Sequence, residues 1–370
     1  MARRSARLLL PIALLTACGE APVADTGPRT GTWRMELDLG GDTLPFLFDL
    51  ARSSEGRLTM TVRNAEERFT VDDITLRGDS FIARPSLFDS EFRGVLVGDS
   101  LITGSWFDRQ RGPDYRIPFT ARVNTERRFP GPSDGQAAVA GKWRVRFGPG
   151  DPAGYDALGV FEQHGAGRVT GTFLTETGDH RFLEGIVHGD SMKLSTFDGS
   201  HAYYYKARIA GDSIHGLYHS GHHWQQAWTG VRDAAFTLRD ADSLVDARAV
   251  ALPPGLRFPD LAGDTLALDD ARFKGKVLLV QVMGSWCPNC TDETRLLNEL
   301  YAKHRDAGLE IVAIAFEKPA EVTRALAGLE RFRETMGVRY TVLYGGGASK
   351  PEAASKLPFL SDVLSWPTTV

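Results

Sequence analysis

Two cysteines, Cys287 and Cys290, stand two residues apart in "GSWCPNCTDE", residues 284–293. A pair at that spacing serves one of three chemistries: half of a zinc site, a structural bridge, or a couple that exchanges disulfides. A structural zinc site takes four ligands, usually from two such pairs, and the chain's three cysteines supply no second pair. A purely structural bridge has no need of this placement, between an apolar run that reads as a strand and an amphipathic run that reads as a helix. At a helix start, unpaired N–H groups and the helix dipole stabilise an anion, which lowers a thiol pKa and yields the nucleophilic thiolate. Cys287 is then the attacking thiol. Cys290, one turn further in, is placed to resolve a mixed disulfide held on Cys287. Pro288 suits the first helical turn, where its missing N–H would be unbonded anyway. Trp286 reads as a shield for the sulfurs and part of a docking surface, with plain packing as the alternative.

The third cysteine bears on location. The chain opens "MARRSARLLLPIALLTACGE", with Arg3, Arg4 and Arg7 before a short apolar stretch from Leu8 to Leu15. That stretch is too short to span a bilayer and reads as a secretory signal. Leu15-Thr16-Ala17-Cys18 resembles the bacterial lipobox, which implies cleavage after residue 17 and diacylglycerol on Cys18. An ordinary secretory peptide cut nearby is the alternative. Residues 18–30, small and polar with Pro and Gly, read as a flexible tether. The expected location is the cell envelope, periplasm-facing and lipid-anchored to a membrane. Thiols there tend to be oxidised, and with Cys18 blocked by lipid, Cys287 and Cys290 have only each other.

Composition sets the class. At 370 residues the length points to two or three domains. Hydrophobic content of 42% and charged content of 24% are those of soluble globular protein. The net charge is −4, and removing three arginines with the leader leaves 40 basic against 47 acidic residues. No basic stripe interleaved with aromatics exists, so nucleic acid is not an expected partner.

The largest organisational feature is an internal repeat at an offset of about 110 residues. "GTW" at 31–33 is echoed by "GKW" at 141–143, "LRGDS" at 76–80 by "VHGDS" at 187–191, and "LVGDS" at 96–100 by "IAGDS" at 209–213. Within each copy, short alternating runs such as "RLTMTV" at 57–62 and "YRIPFTARV" at 115–123 read as strands broken by Gly-Asp-Ser turns. About eight antiparallel strands per copy predict two tandem β units, 31–124 and 140–232, each a small meander barrel that removes its edges by closure. Two sandwiches, or one larger fused barrel, are the alternatives. Eight of the nine histidines lie in the second unit, and His215, His219, His222 and His223 cluster in "HGLYHSGHHW". His215 and His219 would share a strand face, which allows a metal site; a polar hairpin tip is the plainer reading, and no metal is expected.

Residues 233–255, Asp- and Ala-rich and then Pro253-Pro254-Gly255, read as a linker. From 256 to 370 the texture becomes alternating strands and helices, the pattern of an α/β domain. "FKGKVLLVQVMGSW" at 273–286 carries an apolar strand into the cysteine motif. The helix after it has Leu296, Leu297, Leu300 and Tyr301 assigned to one face. "LEIVAIAF" at 309–316 is a second buried strand. An amphipathic helix from Pro319 follows, with Val322, Leu326, Leu329, Phe332 and Met336 inward, and then a strand at 339–344.

"FPDLAGDTLALDDARFKGKVLLVQVMGSWCPNC", Glu293, and "WPTTV" at the end together resemble TlpA-like disulfide oxidoreductases of the thioredoxin superfamily, over roughly residues 256–370. The resemblance implies a thioredoxin fold with a cis-proline, Pro367, against the cysteine pair, and with Trp366 beside it at the docking surface. A peroxiredoxin would need a Thr-or-Ser-x-x-Cys loop, which "GSWCPNC" lacks. Two features depart from the family. Gln281 occupies the place of the buried acid found in thioredoxins proper, so proton transfer to Cys290 falls to Glu293 or to water. The chain also stops at Val370, where the family continues with two strands and a helix, so the α/β domain is expected to be C-terminally truncated. The resulting expectation is a membrane-anchored extracytoplasmic thiol–disulfide oxidoreductase, reducing protein disulfides through Cys287 and Cys290. No cofactor is expected, and electrons would come from an upstream donor in the membrane. The rival reading is a binding or scaffold lipoprotein whose β units capture a ligand or partner, with an accessory redox domain.

Overall fold

Residues 27–246, 254–319 and 321–370 are described by the computed structural model. Cys18, the leader and most of the tether lie outside the described residues, as does the middle of the linker.

Alternation of apolar and polar residues turns the first repeat into nine antiparallel strands: β1 Gly31–Asp38, β2 Thr43–Arg52, β3 Leu58–Asn64, β4 Glu67–Val71, β5 Asp73–Arg77, β6 Ser80–Arg84, β7 Ser90–Val97, β8 Leu101–Asp108 and β9 Arg116–Val123. In β3, Leu58, Met60 and Val62 are buried while Thr59, Thr61 and Arg63 are less so, the two-residue period of a sheet with one face on a core. The strand order is β4-β3-β2-β1-β9-β8-β7-β6-β5, a meander joined by the β1–β9 pairing and left with an unladdered seam between β4 and β5.

The second repeat gives β10 Gly141–Phe147, β11 Tyr155–Gln163, β12 Arg168–Thr175, β13 Gly178–Asp179, β14 Leu183–His188, β15 Ser191–Phe197, β16 Ala202–Ala210, β17 Ser213–Ser220 and β18 Trp224–Arg232. Here β10 pairs with β18 and β11 with β12, so eight strands close into a ring, and the two-residue β13 branches off β12. Each unit therefore has one strand more than the sequence pattern indicated: Asp72 separates β4 from β5 in the first, and β13 is added in the second. The equivalence of the copies extends to side chains. Trp33 and Trp143 are fully buried, and their indole N–H groups donate to the carbonyls of Arg29 and Val139 respectively, each four residues back. Gly78, Gly189 and Gly211 open two-residue hairpin loops at φ of 60°, 56° and 58°, a left-handed conformation that glycine adopts without a steric cost. The closed barrel is filled by Trp143, Phe147, Phe173, Tyr205 and Trp228, all buried, as expected for an eight-stranded ring.

The two barrels keep separate sheets but share a core. Phe197, at the end of β15, leaves its own barrel and stacks on Phe46 of the first at 4.6 Å, with Trp106 edge-on at 5.1 Å. Backbone groups of the same segment are anchored too: Asn64 Nδ2 donates to Phe197 O at 2.8 Å and Ser90 Oγ to Gly199 O at 2.7 Å. This fixes the turn at 198–201, which reaches the cysteine motif. The histidine cluster is used at the same junction. His219 Nε2 lies 3.1 Å from the Asp42 carboxylate of the first barrel, and His222 stacks on Tyr115 at 4.9 Å. His215, on the same strand face as His219, is exposed, because the first barrel covers only one end of β17. Among the described residues no group of His, Cys, Asp and Glu is arranged to hold a metal ion.

The C-terminal part contains β19 Arg257–Pro259, β20 Thr265–Ala267, β21 Val277–Met283, α1 Pro288–His304, β22 Leu309–Glu317, α2 Val322–Met336, β23 Thr341–Gly347, α3 Lys350–Lys356 and β24 Thr368–Thr369. The four-stranded sheet has the order β23-β22-β21-β24, with β21, β22 and β23 parallel and β24 antiparallel to β21. Two side-chain assignments need correction. Leu296 is exposed, since the inward stripe of α1 runs through Cys290, Thr294 and Leu297, and a residue one step from Leu297 is turned by about 100° on a helix. Val322 is exposed because α2 begins there rather than at Pro319, and its buried stripe is Ala325, Leu329 and Phe332. No helix among the described residues is long and apolar enough to cross a membrane.

Candidate active site

β21 is buried over its second half and runs directly into Gly284-Ser285-Trp286. Gly284 is required there: a Cβ would lie 2.3 Å from Trp286 Nε1 and 2.9 Å from Phe316 O. The indole is turned inward, with Nε1 donating to Phe316 O at 2.9 Å. Glu317, at the end of β22, accepts from Ser285 N at 2.8 Å and from Ser285 Oγ at 2.7 Å. Burial pushes its pKa up to about 7 despite those bonds. The next residue, Lys318, places Nζ 4.2 Å from the Trp286 ring centroid.

Cys287 is the N-cap of α1, with extended backbone at φ −101° and ψ 115°, and Pro288 opens the first turn. Its Sγ accepts from Cys290 N at 3.3 Å, as an N-cap oxygen would. The Cys287 S–H faces Trp366 O at 3.4 Å. The two cysteines are not bridged to each other; Cys287 is 6% exposed and Cys290 fully buried. The Cys287 pKa is lowered: the hydrogen bond with the Cys290 thiol outweighs burial, and the N–H groups of Cys290 and Asn289 and the Arg181 charge add to it. Cys290 moves the other way, raised by burial and by the neighbouring Cys287 and Glu293. The two thiols are thus shifted in opposite directions, Cys287 at the helix end downwards and Cys290 one turn in upwards.

The remaining expected residues gather around this pair. The Trp366–Pro367 peptide is cis. Trp366 meets Trp286 edge-to-face at 6.0 Å. Glu293 is half-buried and doubly held, accepting from Gln281 Nε2 at 2.8 Å and from Thr369 Oγ1 at 2.8 Å. Gln281, in the place of the acid, therefore acts on the carboxylate one helical turn beyond Cys290.

Sequence reasoning missed Ser285, Glu317, Lys318 and the groups that the barrels send to the motif. A carboxylate ending an apolar strand run, "LEIVAIAFE", was a signal for Glu317. The barrel contacts had none. Ser200 Oγ donates to Trp286 O at 3.3 Å. Arg181, 4% exposed along its side chain, bonds Asn289 and Asp292 of α1. From the first barrel, Leu87 packs on the cluster that holds both cysteines, and Asp89 pairs with Arg324 of α2.

The AhpC/TSA family model matches residues 249–361. The chain is 39% identical over 61 residues to the thiol-disulfide oxidoreductase ResA of Bacillus thuringiensis subsp. konkukian, covering 16% of this chain and 34% of that protein. It is 29% identical over 90 residues to ResA of Geobacillus kaustophilus, covering 24% and 47%. The chain thus spans between a third and half the length of these two curated relatives. Among solved structures, a thiol-disulfide oxidoreductase from Bacteroides fragilis aligns over 31% of this chain and 77% of its own, at 18% identity and a TM-score of 0.26. A thioredoxin family thiol:disulfide interchange protein from Chlorobium tepidum aligns over 29% and 68%, at 23% identity and a TM-score of 0.22. The family match and the ResA relatives both fall on the C-terminal part of this chain, which is thus similar to thiol-disulfide oxidoreductases where the strand, cysteine pair and helix meet.

Proposed function

We propose that the protein is a lipid-anchored, extracytoplasmic thiol–disulfide oxidoreductase that reduces disulfides in other proteins. The observation that carries this reading is the placement of Cys287 Sγ at the N-cap of α1, bonded by Cys290 N, with the resolving thiol one turn further in. The Cys287 thiolate attacks one sulfur of a partner's disulfide, forming a mixed disulfide and releasing the other sulfur as a thiolate that takes up a proton. Cys290, deprotonated through Glu293 or water, attacks Cys287 Sγ and frees the second partner thiol. The protein is left with a Cys287–Cys290 disulfide, and an electron donor in the membrane returns two electrons and two protons to it. Trp286, Trp366 and the cis-Pro367 backbone form the surface on which the partner strand lies. Cys18 carries the lipid.

Trapping tests the chemistry. A Cys290→Ser variant should accumulate mixed disulfides that Cys287→Ser does not form, and wild type that never exchanges with glutathione overturns the reading. Direction is decided by the reduction potential of the pair in glutathione buffers. A value near about −270 mV supports a reductase, and one near about −120 mV overturns it in favour of a disulfide donor. For the anchor, Cys18→Ala should release the protein from the membrane fraction.

A further inference from the structure

Asn289 is one of the two residues between the cysteines, and both ends of its amide are held by the second barrel. Arg181 Nη1 donates to Asn289 Oδ1 at 2.9 Å, and Asn289 Nδ2 donates to Asp179 Oδ1 at 3.2 Å. The same Nη1 lies 2.6 Å from Asp292 Oδ2, so one nitrogen grips two positions in the first turns of α1. Arg181 is buried among three carboxylates: Asp292, Glu67 of the first barrel, and Asp198, 3.3 Å from Nε. It therefore joins both barrels and the redox helix at a single guanidinium. A side chain this buried keeps its charge only because the carboxylates offset the desolvation. Its backbone is left-handed at φ 63°, a conformation that a side-chain-bearing residue holds only when its surroundings impose it. Simple adhesion between domains would not need a buried cation set against the turn that carries the nucleophile.

We propose that Arg181, supplied by the second barrel, is a positioning residue of the redox centre: it fixes the Cys-Pro-Asn-Cys turn through Asn289 and Asp292 and sets the charge felt by Cys287. This rests on the reading of Cys287 as the nucleophile and assigns the β repeat a part in the same site. Besides Arg181, the groups that act on Cys287 include the Cys290 thiol and the Lys318 ammonium. Lys318 comes from the α/β domain, so the barrel's own contribution is Arg181.

The test is the pH dependence of Cys287 alkylation in the reduced full chain, together with the reduction potential. Arg181→Met should raise the alkylation midpoint, and Arg181→Lys, which keeps the charge but not the fork, should fall between it and wild type. With the midpoint above the assay pH, each further unit lowers the thiolate fraction tenfold and raises its nucleophilicity about threefold, so exchange slows about threefold. Each tenfold loss of the reduced form against glutathione reads as about 30 mV in the reducing direction. Glu67→Gln removes one of the carboxylates that offset Arg181 and should move midpoint and potential the opposite way. A general loss of structure would not produce opposite signs, so this variant decides the matter if Arg181→Met does not fold. Midpoints and potentials equal to wild type in the folded variants overturn the proposal. A wild-type pair that does not exchange at all overturns the proposed function instead.

Discussion

Glu317→Gln tests whether the carboxylate beneath the cysteine loop is held protonated by its burial. Glu317 is 2% exposed, and its pKa is pushed from 4.5 to about 7 by burial. Because the folded pKa is raised, the folded chain holds this proton more tightly than the unfolded chain. Stability from this group is then greatest below about pH 4.5, falls as pH rises, and levels off above about pH 7. A shift of about 2.5 units at about 1.36 kcal/mol each gives roughly 3.4 kcal/mol in all. Between about pH 5 and about pH 8 the same two pKa values give a loss of roughly 2.5 kcal/mol. Glutamine stays neutral throughout. Its Oε1 can still accept from Ser285 N, and its Nε2 can donate to Ser285 Oγ, so neither loop group is orphaned. Urea unfolding of the variant and wild type across this range is the assay, with the infrared band of a protonated carboxyl as a direct check on ionisation. The variant should gain roughly 2.5 kcal/mol on wild type between about pH 5 and about pH 8. Curves that stay parallel from about pH 5 to about pH 8 would refute burial as the cause of the shift.

Other expectations follow from the same contacts. Phe197→Ala should cost about 3–5 kcal/mol in thermal or urea unfolding, since the ring fills the core of a barrel other than its own. His180, buried against Tyr205 and the aromatic core of the second barrel, has its pKa lowered to about 3 by burial and by the His201 charge. Its folded pKa lies below the unfolded one, so the folded state binds fewer protons and stability is lost as pH falls from about 6.5 towards 3. The loss should reach roughly 3–5 kcal/mol, and His180→Phe should flatten that slope in urea unfolding. Iodoacetamide at neutral pH should label Cys287 and leave Cys290 unmodified in the reduced protein, as peptide mass mapping would show, because only Cys287 has its thiolate stabilised.

Much of this organisation was legible in the sequence because its signals are local or periodic. The two-residue strand period, the Gly-Asp turns and the offset of the repeats gave tandem meanders. The apolar run into Cys287, with Pro288 next, placed the cysteines where a strand becomes a helix. Helix faces were less secure: Leu296 and Val322 are apolar but exposed, and only the neighbouring elements select which side of a helix is covered. Registry between distant parts had no local signal at all. Phe197 reads as the end of an ordinary strand, yet it belongs to the other barrel's core. Arg181 reads as a charged residue beside a turn, yet it lies against Asn289, 108 positions later. Sequence by itself determined that a cysteine pair sits at a helix start, since capping, dipole and proline preference all act within a few residues. Only the tertiary structure decided which charges surround that pair, because the fields of Arg181, Lys318 and Glu293 depend on packing between segments whose separation in the chain carries no record of their contact.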